Sequence, residues 1–192
     1  RLAVEAELRH QALHDPLTEL PNRTLFFDRL GDLLNTDAPD ARIGICYLDV
    51  DGFKVINDTL GHDVGDQLLQ TVARRLDRSI SGEGQLVARM GGDEFVVLIE
   101  HSTGTDDVVS VAEKALDTVR APVHVAGHEI SISASVGVVE QPVHGTTAGE
   151  LMKAADTTLY WAKADGRNRM ALFDAARRVS VALRFAVVFL TG

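Results

Sequence analysis

The most informative stretch of the chain reads Arg89-Met90-Gly91-Gly92-Asp93-Glu94-Phe95, and the apolar run Val96-Val97-Leu98-Ile99 follows it directly. A Gly-Gly pair between β-prone segments predicts a tight hairpin, because glycine adopts at little cost the positive φ angles that turn positions can need. Such a turn places Asp93 and Glu94 near its tip, where a ligand or a metal can approach. An isolated Gly-Gly-Asp-Glu is better interpreted as an ordinary solvated hairpin, so the neighbouring segments have to decide between the two interpretations.

The segments on either side of this hairpin alternate between strands and helices. Apolar residues at helical spacing, or helix-capping residues, indicate helices in the segments 2–13, 22–33, 64–80, 107–120 and 147–164. Continuous apolar runs or alternating patterns indicate strands at 43–48, 96–99, 122–125 and 129–139. The order β, α, β, β, α, β with flanking helices predicts an α/β sandwich built on a central mixed β-sheet.

The bulk composition is that of a single globular domain. With 192 residues, of which 45% are hydrophobic and 24% are charged, the chain can bury one sizeable core. The formal net charge of -9 argues against non-specific binding to nucleic acid or to an anionic membrane surface. The single cysteine, Cys46, lies in an apolar run and has no internal partner, which fits a core residue in a reducing, cytoplasmic setting. No segment is long and apolar enough to span a membrane.

The two ends of the chain are expected to connect to other parts of a longer protein. The sequence opens on Arg1 without the pattern of a signal peptide. We therefore expect residues 1–13 to be the remnant of a linker or signalling helix and residues 14–173 to form the domain. Residues 174–192 are expected to be a tail or the start of another linker.

Acidic residues end the first predicted strand. Asp49-Val50-Asp51 follows the run 43–48, so Asp49 should emerge at the rim of the sheet. If the hairpin is adjacent, Asp93 and Glu94 join Asp49 there. Carboxylates that lie close together repel one another unless a proton or a metal lies between them, and oxygen ligands suit Mg²⁺ or Mn²⁺. On spacing alone, a metal–phosphate site and a set of solvated loop acids are equally compatible with these residues.

Basic residues accompany the acidic ones. Lys54 follows Asp49 closely, and Lys163 and Arg167 are four residues apart where the last predicted helix ends. Residues four apart share a helix face, so this pair could clamp one anionic group. The alternative is that both cations stabilise the helix C-terminus ahead of Gly166.

Five short motifs occur in a fixed order along residues 14–173. They read Asp15-Pro16-Leu17-Thr18-x-Leu20-x-Asn22-Arg23, Asp49-Val50-Asp51-x-Phe53-Lys54-x-x-Asn57-Asp58, Gly61-His62-x-x-Gly65-Asp66, Gly91-Gly92-Asp93-Glu94-Phe95 and Tyr160-x-Ala162-Lys163-x-x-Gly166-Arg167-Asn168. Taken together, these motifs resemble the GGDEF domain of bacterial diguanylate cyclases. Each motif alone is weak to moderate, and the match rests on all five occurring in the family's order.

The resemblance implies both a fold and a reaction. The fold would be related to nucleotidyl cyclases and polymerase palms. In the reaction, two GTP molecules would condense to cyclic di-GMP with loss of two pyrophosphates. Each domain would hold one GTP, so a second copy of the domain must meet the first across a two-fold axis. Catalysis of such a phosphoryl transfer rests mainly on positioning and charge neutralisation.

The resemblance also implies roles for individual residues. The ligands of Mg²⁺ or Mn²⁺ would be Asp49, the backbone carbonyl of Val50, and Asp93. Asp93 would also help to deprotonate the attacking 3′-hydroxyl, and Glu94 would support the metal site. The substrate contacts would be Lys54, Lys163 and Arg167 to phosphates, Gly91 and Gly92 to the α-phosphate, and Asn57 and Asp66 to guanine. His62 matches a position near the substrate, and a structural histidine in a turn is an equal alternative. Asp15, Thr18 and Asn22 are expected to cap and brace the entry turn, without a chemical role. For Asp51, capping the turn is the alternative to binding metal. Phe53 and Phe95 are expected to line the core or the pocket wall rather than to stack on the base.

One position departs from the family pattern. Many members carry Arg-x-x-Asp shortly before the Gly-Gly pair, where it binds product and inhibits the enzyme. The corresponding residues in this chain are Gly82-Glu83-Gly84-Gln85. The resemblance therefore implies an enzyme without ordinary product inhibition at that position.

Two other functions compete with an active cyclase. The main alternative is a GTP-binding regulatory module with little turnover, which would control an adjacent cyclic di-GMP phosphodiesterase (EAL) domain. An upstream sensory domain is expected in either case. An unrelated Mg²⁺-dependent nucleotidyltransferase fits less well, because Asn57, His62 and Asp66 occur together in the family's order.

Overall fold

The computed structural model describes residues 1–177 of the chain. Its helices are α1 (Leu2–Leu13), α2 (Arg23–Leu34), α3 (Phe53–Leu60), α4 (His62–Ile80), α5 (Thr105–Arg120) and α6 (Ala148–Ala164). Its strands are β1 (Arg42–Val50), β2 (Gln85–Gly91), β3 (Glu94–Glu100), β4 (Val123–Val125), β5 (His128–Ile130), β6 (Ala134–Pro142) and β7 (Arg169–Leu172). Most of the predicted tail, 174–192, lies outside the described residues.

A five-stranded mixed sheet forms the centre of the domain. The strand order is β2-β3-β1-β6-β7, with β7 parallel to β6 and the other neighbours antiparallel. β1 occupies the middle of the sheet, and every residue of β1 after Arg42 is buried. This position explains why the sequence of β1 is apolar on both faces rather than alternating. The predicted α/β sandwich with a mixed central sheet is confirmed.

Helices cover both faces of this sheet. Cys46 and Leu48 of β1 pack in the cluster that includes residues of α4 and α5. Ile45 and Tyr47 pack in the cluster that includes residues of α2 and α6. Burial raises the pKa of the Cys46 thiol to about 12, so this cysteine is an unreactive core residue, as predicted.

Helix α6 begins and packs as its sequence dictates. The N–H of Glu150 donates to the hydroxyl of Thr147, and the Glu150 carboxylate accepts from the N–H of Thr147, so a capping box starts the helix where capping residues in the sequence predicted its start. Gly137 of β6 then allows the helix to lie directly on the sheet. A Cβ at Gly137 would lie 2.4 Å from the backbone nitrogen of Leu159 and 2.7 Å from the carbonyl oxygen of Ala155.

The predicted strand 129–139 consists of two strands. β5 ends at Ile130 and pairs with β4 in a separate two-stranded sheet, whereas β6 begins at Ala134 in the central sheet. Between them, the carbonyl of Ser133 accepts a hydrogen bond from the N–H of Asp51 at 2.9 Å. The short elements α3 and β7 are likewise not indicated by the sequence patterns.

The hairpin turn lies one residue later than predicted. β2 ends at Gly91, which pairs with Glu94, so Gly92 and Asp93 form the turn. Gly91 has a φ of 137° and Gly92 a φ of 51°, conformations that favour glycine at both positions. The register shifts between Arg89 and Gly91, which is the geometry of a β-bulge. The correction places Asp93 inside the turn rather than after it.

The N-terminal helix α1 forms as predicted but contributes little to the core. None of its residues is buried, and Leu2, Val4 and Leu8 are exposed. Its identity as the remnant of a linker stays a prediction. Across residues 1–177, the helices are too short or too polar to cross a membrane.

Candidate functional site

Three elements meet where β1 ends. In the sheet, Asp49 is paired with Glu94 of β3 on one side and with Ser135 of β6 on the other. The N–H of Val50 donates to the carbonyl of Asp93 at 3.2 Å, which fastens the hairpin turn to the end of β1. The C-terminal part of α6 reaches the same point through Lys163. The predicted adjacency of the strand end and the hairpin is therefore present in the structure.

The centre of this site is a pair of aspartate carboxylates. Asp49 is 9% exposed, and Asp93 is half-buried beside it. The pKa of Asp93 is raised from 3.8 to about 6, first by burial, then by the charge of Asp49 and a hydrogen bond with it, and to a smaller extent by Glu94. Two carboxylates in this arrangement favour either a shared proton or a bound cation.

Lys163 supplies a positive charge to this pair. Its Nζ donates to Asp49 Oδ2 at 2.6 Å, and the two side chains are 33% and 12% exposed. Lys163 therefore does more than stabilise the helix C-terminus, because its ammonium group binds the carboxylate of Asp49.

Glu94 is oriented by a residue that sequence reasoning missed. The hydroxyl of Tyr47 donates to Glu94 Oε2 at 2.7 Å. Burial and the neighbouring Glu94 carboxylate hold the pKa of Tyr47 above its usual range, so the phenol stays a hydrogen-bond donor. A signal was available, because Tyr47 lies two residues before Asp49 on one strand and therefore on the same face of the sheet.

The hairpin turn is braced by Arg89. Its guanidinium donates to the carbonyl of Gly92, at 2.7 Å from Nη2, and to the carboxylate of Asp15, at 3.0 Å from Nη1. Thr18 donates to the same carboxylate through its N–H and its hydroxyl. Burial acts to raise the pKa of Asp15, but these hydrogen bonds and the charge of Arg89 lower it below its usual value. The structural role predicted for Asp15 and Thr18 is confirmed.

Four of the predicted substrate contacts lie on two consecutive helices, α3 and α4. Lys54 and Asn57 belong to α3, and His62 and Asp66 belong to α4. Lys54, His62 and Asp66 are exposed, whereas Asn57 is half-buried. Within residues 1–177, none of the four side chains is hydrogen-bonded to the aspartate pair.

Asn57 has an unusual environment. Its Oδ1 is buried and accepts no hydrogen bond from residues 1–177. The space that Oδ1 occupies exists because residue 65 is glycine, since a Cβ at Gly65 would lie 1.8 Å from it. A buried acceptor without a donor costs free energy, and residues 1–177 provide no donor to Asn57 Oδ1.

The predicted helical clamp of Lys163 and Arg167 is wrong. Helix α6 ends at Ala164, and Gly166 and Arg167 have φ angles of 122° and 61°. Because a left-handed glycine stops the helix between them, the two basic residues do not share a helix face. Arg167 is exposed and lies in the loop between α6 and β7.

Asp51 braces this end of the sheet. Its carboxylate accepts from the hydroxyls of Ser133 and Ser135, each at 2.7 Å, and from the N–H of Asn168 at 2.9 Å. With these three donors, Asp51 has a structural role, which is the alternative to metal binding that the sequence left open. Phe95 is fully buried in the core, and Asn22 caps α2 by accepting from the N–H of Leu25, so both also have structural positions.

The donor set at the aspartate pair suits a hard cation. Carboxylates from Asp49 and Asp93 and the carbonyl of Val50 are all oxygen donors, which Mg²⁺ and Mn²⁺ prefer. A cation between the carboxylates would also relieve the repulsion that raises the pKa of Asp93. In residues 1–177 no three side chains of His, Cys, Asp or Glu converge as a ready-made metal site. A cation at this site would therefore be held by two carboxylates and a backbone carbonyl, because the Glu94 carboxylate is hydrogen-bonded to Tyr47.

Comparisons with known proteins agree with this geometry. The family model for the diguanylate cyclase GGDEF domain matches residues 12–169. The bifunctional diguanylate cyclase/cyclic di-GMP phosphodiesterase MucR of Pseudomonas aeruginosa is 42% identical over 171 residues, which are 88% of this chain and 25% of MucR. Diguanylate cyclase TpbB of the same species is 39% identical over 172 residues, which are 88% of this chain and 39% of TpbB. The chain thus spans less than half the length of these curated relatives.

Solved structures show the same fold. The isolated GGDEF domain of TpbB (YfiN) from Pseudomonas aeruginosa matches with a TM-score of 0.81 and 35% identity, covering 88% of this chain and 99% of that one. The coiled coil and GGDEF domain of DgcB from Caulobacter crescentus, solved in complex with c-di-GMP, matches with a TM-score of 0.81 and 30% identity, covering 88% and 90%. The predicted palm-like fold is confirmed by these matches.

Proposed function

The chain belongs to the family of GGDEF diguanylate cyclase domains, and from that premise we propose that it condenses two GTP molecules to cyclic di-GMP with release of two pyrophosphates. The observation that carries the proposal is the aspartate pair at the hairpin, Asp49 and Asp93, with the pKa of Asp93 raised to about 6. Two ionised carboxylates beside an open turn can bind a cation, and one of them can accept a proton from a nucleophile.

The carboxylates would hold the metal and the proton. Asp49, the Val50 carbonyl and Asp93 would bind Mg²⁺ or Mn²⁺, and the ion would supply Lewis-acid stabilisation of the phosphoryl charge. Asp93 would accept the proton of the attacking 3′-hydroxyl, because its position in the turn leaves it close to an incoming nucleotide. Glu94, held by Tyr47, supports the negative potential of this site.

The phosphates would be bound by basic side chains and by the hairpin backbone. Lys163 is already directed at the aspartate pair, and we assign Lys54 and Arg167 to the remaining phosphate charge. At Gly91 and Gly92, apart from the adjacent residues, no atom of residues 1–177 lies within 4 Å of where a Cβ would be, so the backbone of the turn faces space that an α-phosphate could occupy.

The base would be read by Asn57 and Asp66. Guanine presents two neighbouring donors, the N1–H and the exocyclic amine, and adenine lacks that pair. The amide of half-buried Asn57 and the exposed carboxylate of Asp66 are polar groups that can meet such donors. A nucleotide without these donors would leave acceptors unpaired, which gives strong discrimination. His62, at the start of α4, is assigned to the same pocket.

The reaction requires a second copy of the domain. Each copy would bring one GTP, and the hydroxyl of one nucleotide would attack the α-phosphate of the other across a two-fold axis. We propose an upstream sensory domain that controls this encounter through the segment containing α1, and a cytoplasmic location, where GTP is available.

We further propose that the product does not inhibit the enzyme in the usual way. In place of Arg-x-x-Asp the chain has Gly82 to Gln85, and these two residues hydrogen-bond to each other through their backbones in a tight turn. Neither an arginine nor an aspartate side chain is present there to bind cyclic di-GMP.

A regulatory module is the second candidate function. It is favoured by relatives whose names include a phosphodiesterase, such as the cyclic di-GMP phosphodiesterase PdeR of Escherichia coli, which is 36% identical over 169 residues. In that case the domain would bind GTP without substantial turnover and would control an adjacent phosphodiesterase (EAL) domain.

One experiment separates the two candidates. The purified chain is incubated with GTP and Mg²⁺ at concentrations high enough for two copies to meet, and the products are separated by chromatography. We expect cyclic di-GMP from the unsubstituted chain and from the exposed control Asp77→Asn, and none from Asp93→Ala with retained fold. GTP binding without any product at high concentration would contradict the cyclase and support the regulatory module.

A further inference from the structure

The loop that carries Arg167 has a strained backbone. Gly166, Arg167 and Asn168 have consecutive positive φ angles of 122°, 61° and 49°. Glycine adopts such angles at little cost and asparagine tolerates them, so Arg167 is the residue held in a sparsely populated conformation. A strained segment persists only where surrounding contacts determine it, and such segments concentrate at functional sites.

The start of the loop is fixed by α6 itself, because the N–H of Arg167 donates to the carbonyl of Ala162 at 3.0 Å. The first contact from outside the helix comes from Asp51. Its Oδ2 accepts from the N–H of Asn168 at 2.9 Å. The carboxylate is itself fixed by the hydroxyls of Ser133 and Ser135. Because Asp51 lies two residues after Asp49, this hydrogen bond ties the loop to the end of β1 that carries Asp49.

The second contact comes from the far end of α5. Arg120, the last residue of that helix, donates from Nε to Asn168 Oδ1 at 2.8 Å and from Nη2 to the Asn168 carbonyl at 3.1 Å. A guanidinium that hydrogen-bonds to both the side chain and the backbone carbonyl of one residue fixes the position of that residue and the orientation of its peptide group. Asn168 is therefore held from two directions, and its neighbour Arg167 is left exposed.

We propose that Asp51 and Arg120 are positioning residues, which act by holding the loop 166–168 so that Arg167 is presented to the triphosphate of GTP. The inference rests on the proposed function, because it takes Arg167 to be a phosphate contact. Neither residue touches the substrate in this scheme. Their effect on binding passes entirely through the conformation of the loop.

The test is a double-mutant cycle on nucleotide binding, measured by calorimetry with Mg²⁺ and an α,β-methylene analogue of GTP that cannot release pyrophosphate. We expect Arg167→Ala to weaken binding of the analogue about tenfold and Arg120→Ala about fivefold. The double variant should bind no more weakly than Arg167→Ala alone, because Arg120 acts through Arg167. Arg78→Ala, which removes an equal charge from an exposed position on α4, should bind like the unsubstituted chain.

Two further measurements separate positioning from a general structural role. Guanosine monophosphate lacks the β- and γ-phosphates, so its binding, measured by competition, should change less than about twofold in Arg120→Ala. Asp51→Asn keeps one acceptor for the Asn168 N–H and should retain most of the affinity for the analogue, whereas Asp51→Ala should lose affinity like Arg120→Ala.

The outcomes that overturn the inference are specific. Arg120→Ala could bind the analogue like the unsubstituted chain, could weaken both nucleotides equally, or could combine multiplicatively with Arg167→Ala, and each result would refute positioning through Arg167. Absence of analogue binding by the unsubstituted chain would instead refute the proposed function, and the inference with it.

Discussion

Replacing Asp93 with asparagine should make the protein more stable while abolishing its activity. The pKa of this carboxyl is raised on folding from 3.8 to about 6, chiefly by burial and by the charge of Asp49. The native state therefore binds the Asp93 proton more tightly than the unfolded chain, so this contribution to stability is fully present below pH 3.8 and is lost as the pH rises through 6. At neutral pH the ionised carboxylate is a net cost to the folded state.

The size of that cost follows from the pKa. A rise of about two pH units, at about 1.36 kcal/mol for each, corresponds to about 3 kcal/mol. Asp93 is only half-buried, and solvent screening reduces the cost to about 1–2 kcal/mol. Asparagine has nearly the same shape and no charge, so Asp93→Asn should raise the free energy of unfolding by that amount at pH 7.5.

Urea denaturation in a chelating buffer provides the measurement, because a bound cation would relieve the repulsion. The advantage of Asp93→Asn should fall to about half at pH 5, where the native carboxyl is already largely protonated. Asp77→Asn, on the exposed face of α4, should leave the unfolding free energy nearly unchanged at both pH values. A variant that is no more stable at pH 7.5, or whose advantage is independent of pH, would refute the electrostatic description of the aspartate pair.

Three other substitutions test separate parts of the site. Lys163→Met removes the ammonium group from Asp49. Because the pair is partly exposed, the free energy of unfolding should fall by about 1–2 kcal/mol, and product formation should fall about 100-fold. Lys153→Met, on the exposed side of α6, should change neither quantity. Gly65→Ala places a Cβ 1.8 Å from Asn57 Oδ1 and should weaken GTP binding about tenfold in calorimetry, with the circular dichroism spectrum unchanged. Tyr47→Phe removes the donor to the hairpin glutamate and should lower the rate of product formation about fivefold, and an unchanged rate would show that this hydrogen bond is not needed.

Local patterns in the sequence were sufficient for much of the fold. The apolar run that becomes β1, the capping box at Thr147, and the Gly-Gly pair each depend on residues close together in the chain, and each appears in the structure. The end of α6 shows the limit of such patterns. The helix was predicted to end at Ala164, as it does, but the spacing of Lys163 and Arg167 suggested a shared helix face, which the positive φ angles of Gly166 and Arg167 prevent.

The parts of the site that the sequence did not predict depend on contacts between distant segments. The hydrogen bond from Arg120 to Asn168 joins residues 48 positions apart, and the one from Tyr47 to Glu94 spans 47 positions. The predicted strand 129–139 is interrupted before β6, where the carbonyl of Ser133 accepts a hydrogen bond from the N–H of Asp51 and not from the β4–β5 hairpin. None of these partners can be identified before the sheet order is known.

The close approach of α6 to β6 at Gly137 bears on how sequence variants of this protein should be judged. Leu159, whose backbone nitrogen would lie 2.4 Å from a Cβ at position 137, is only four residues before Lys163, or about 6 Å along the helix. Any side chain at 137 would push the helix outward and carry the lysine away from Asp49. A substitution in the middle of a buried strand would then have the phenotype of an active-site mutation, although residue 137 touches neither nucleotide nor metal.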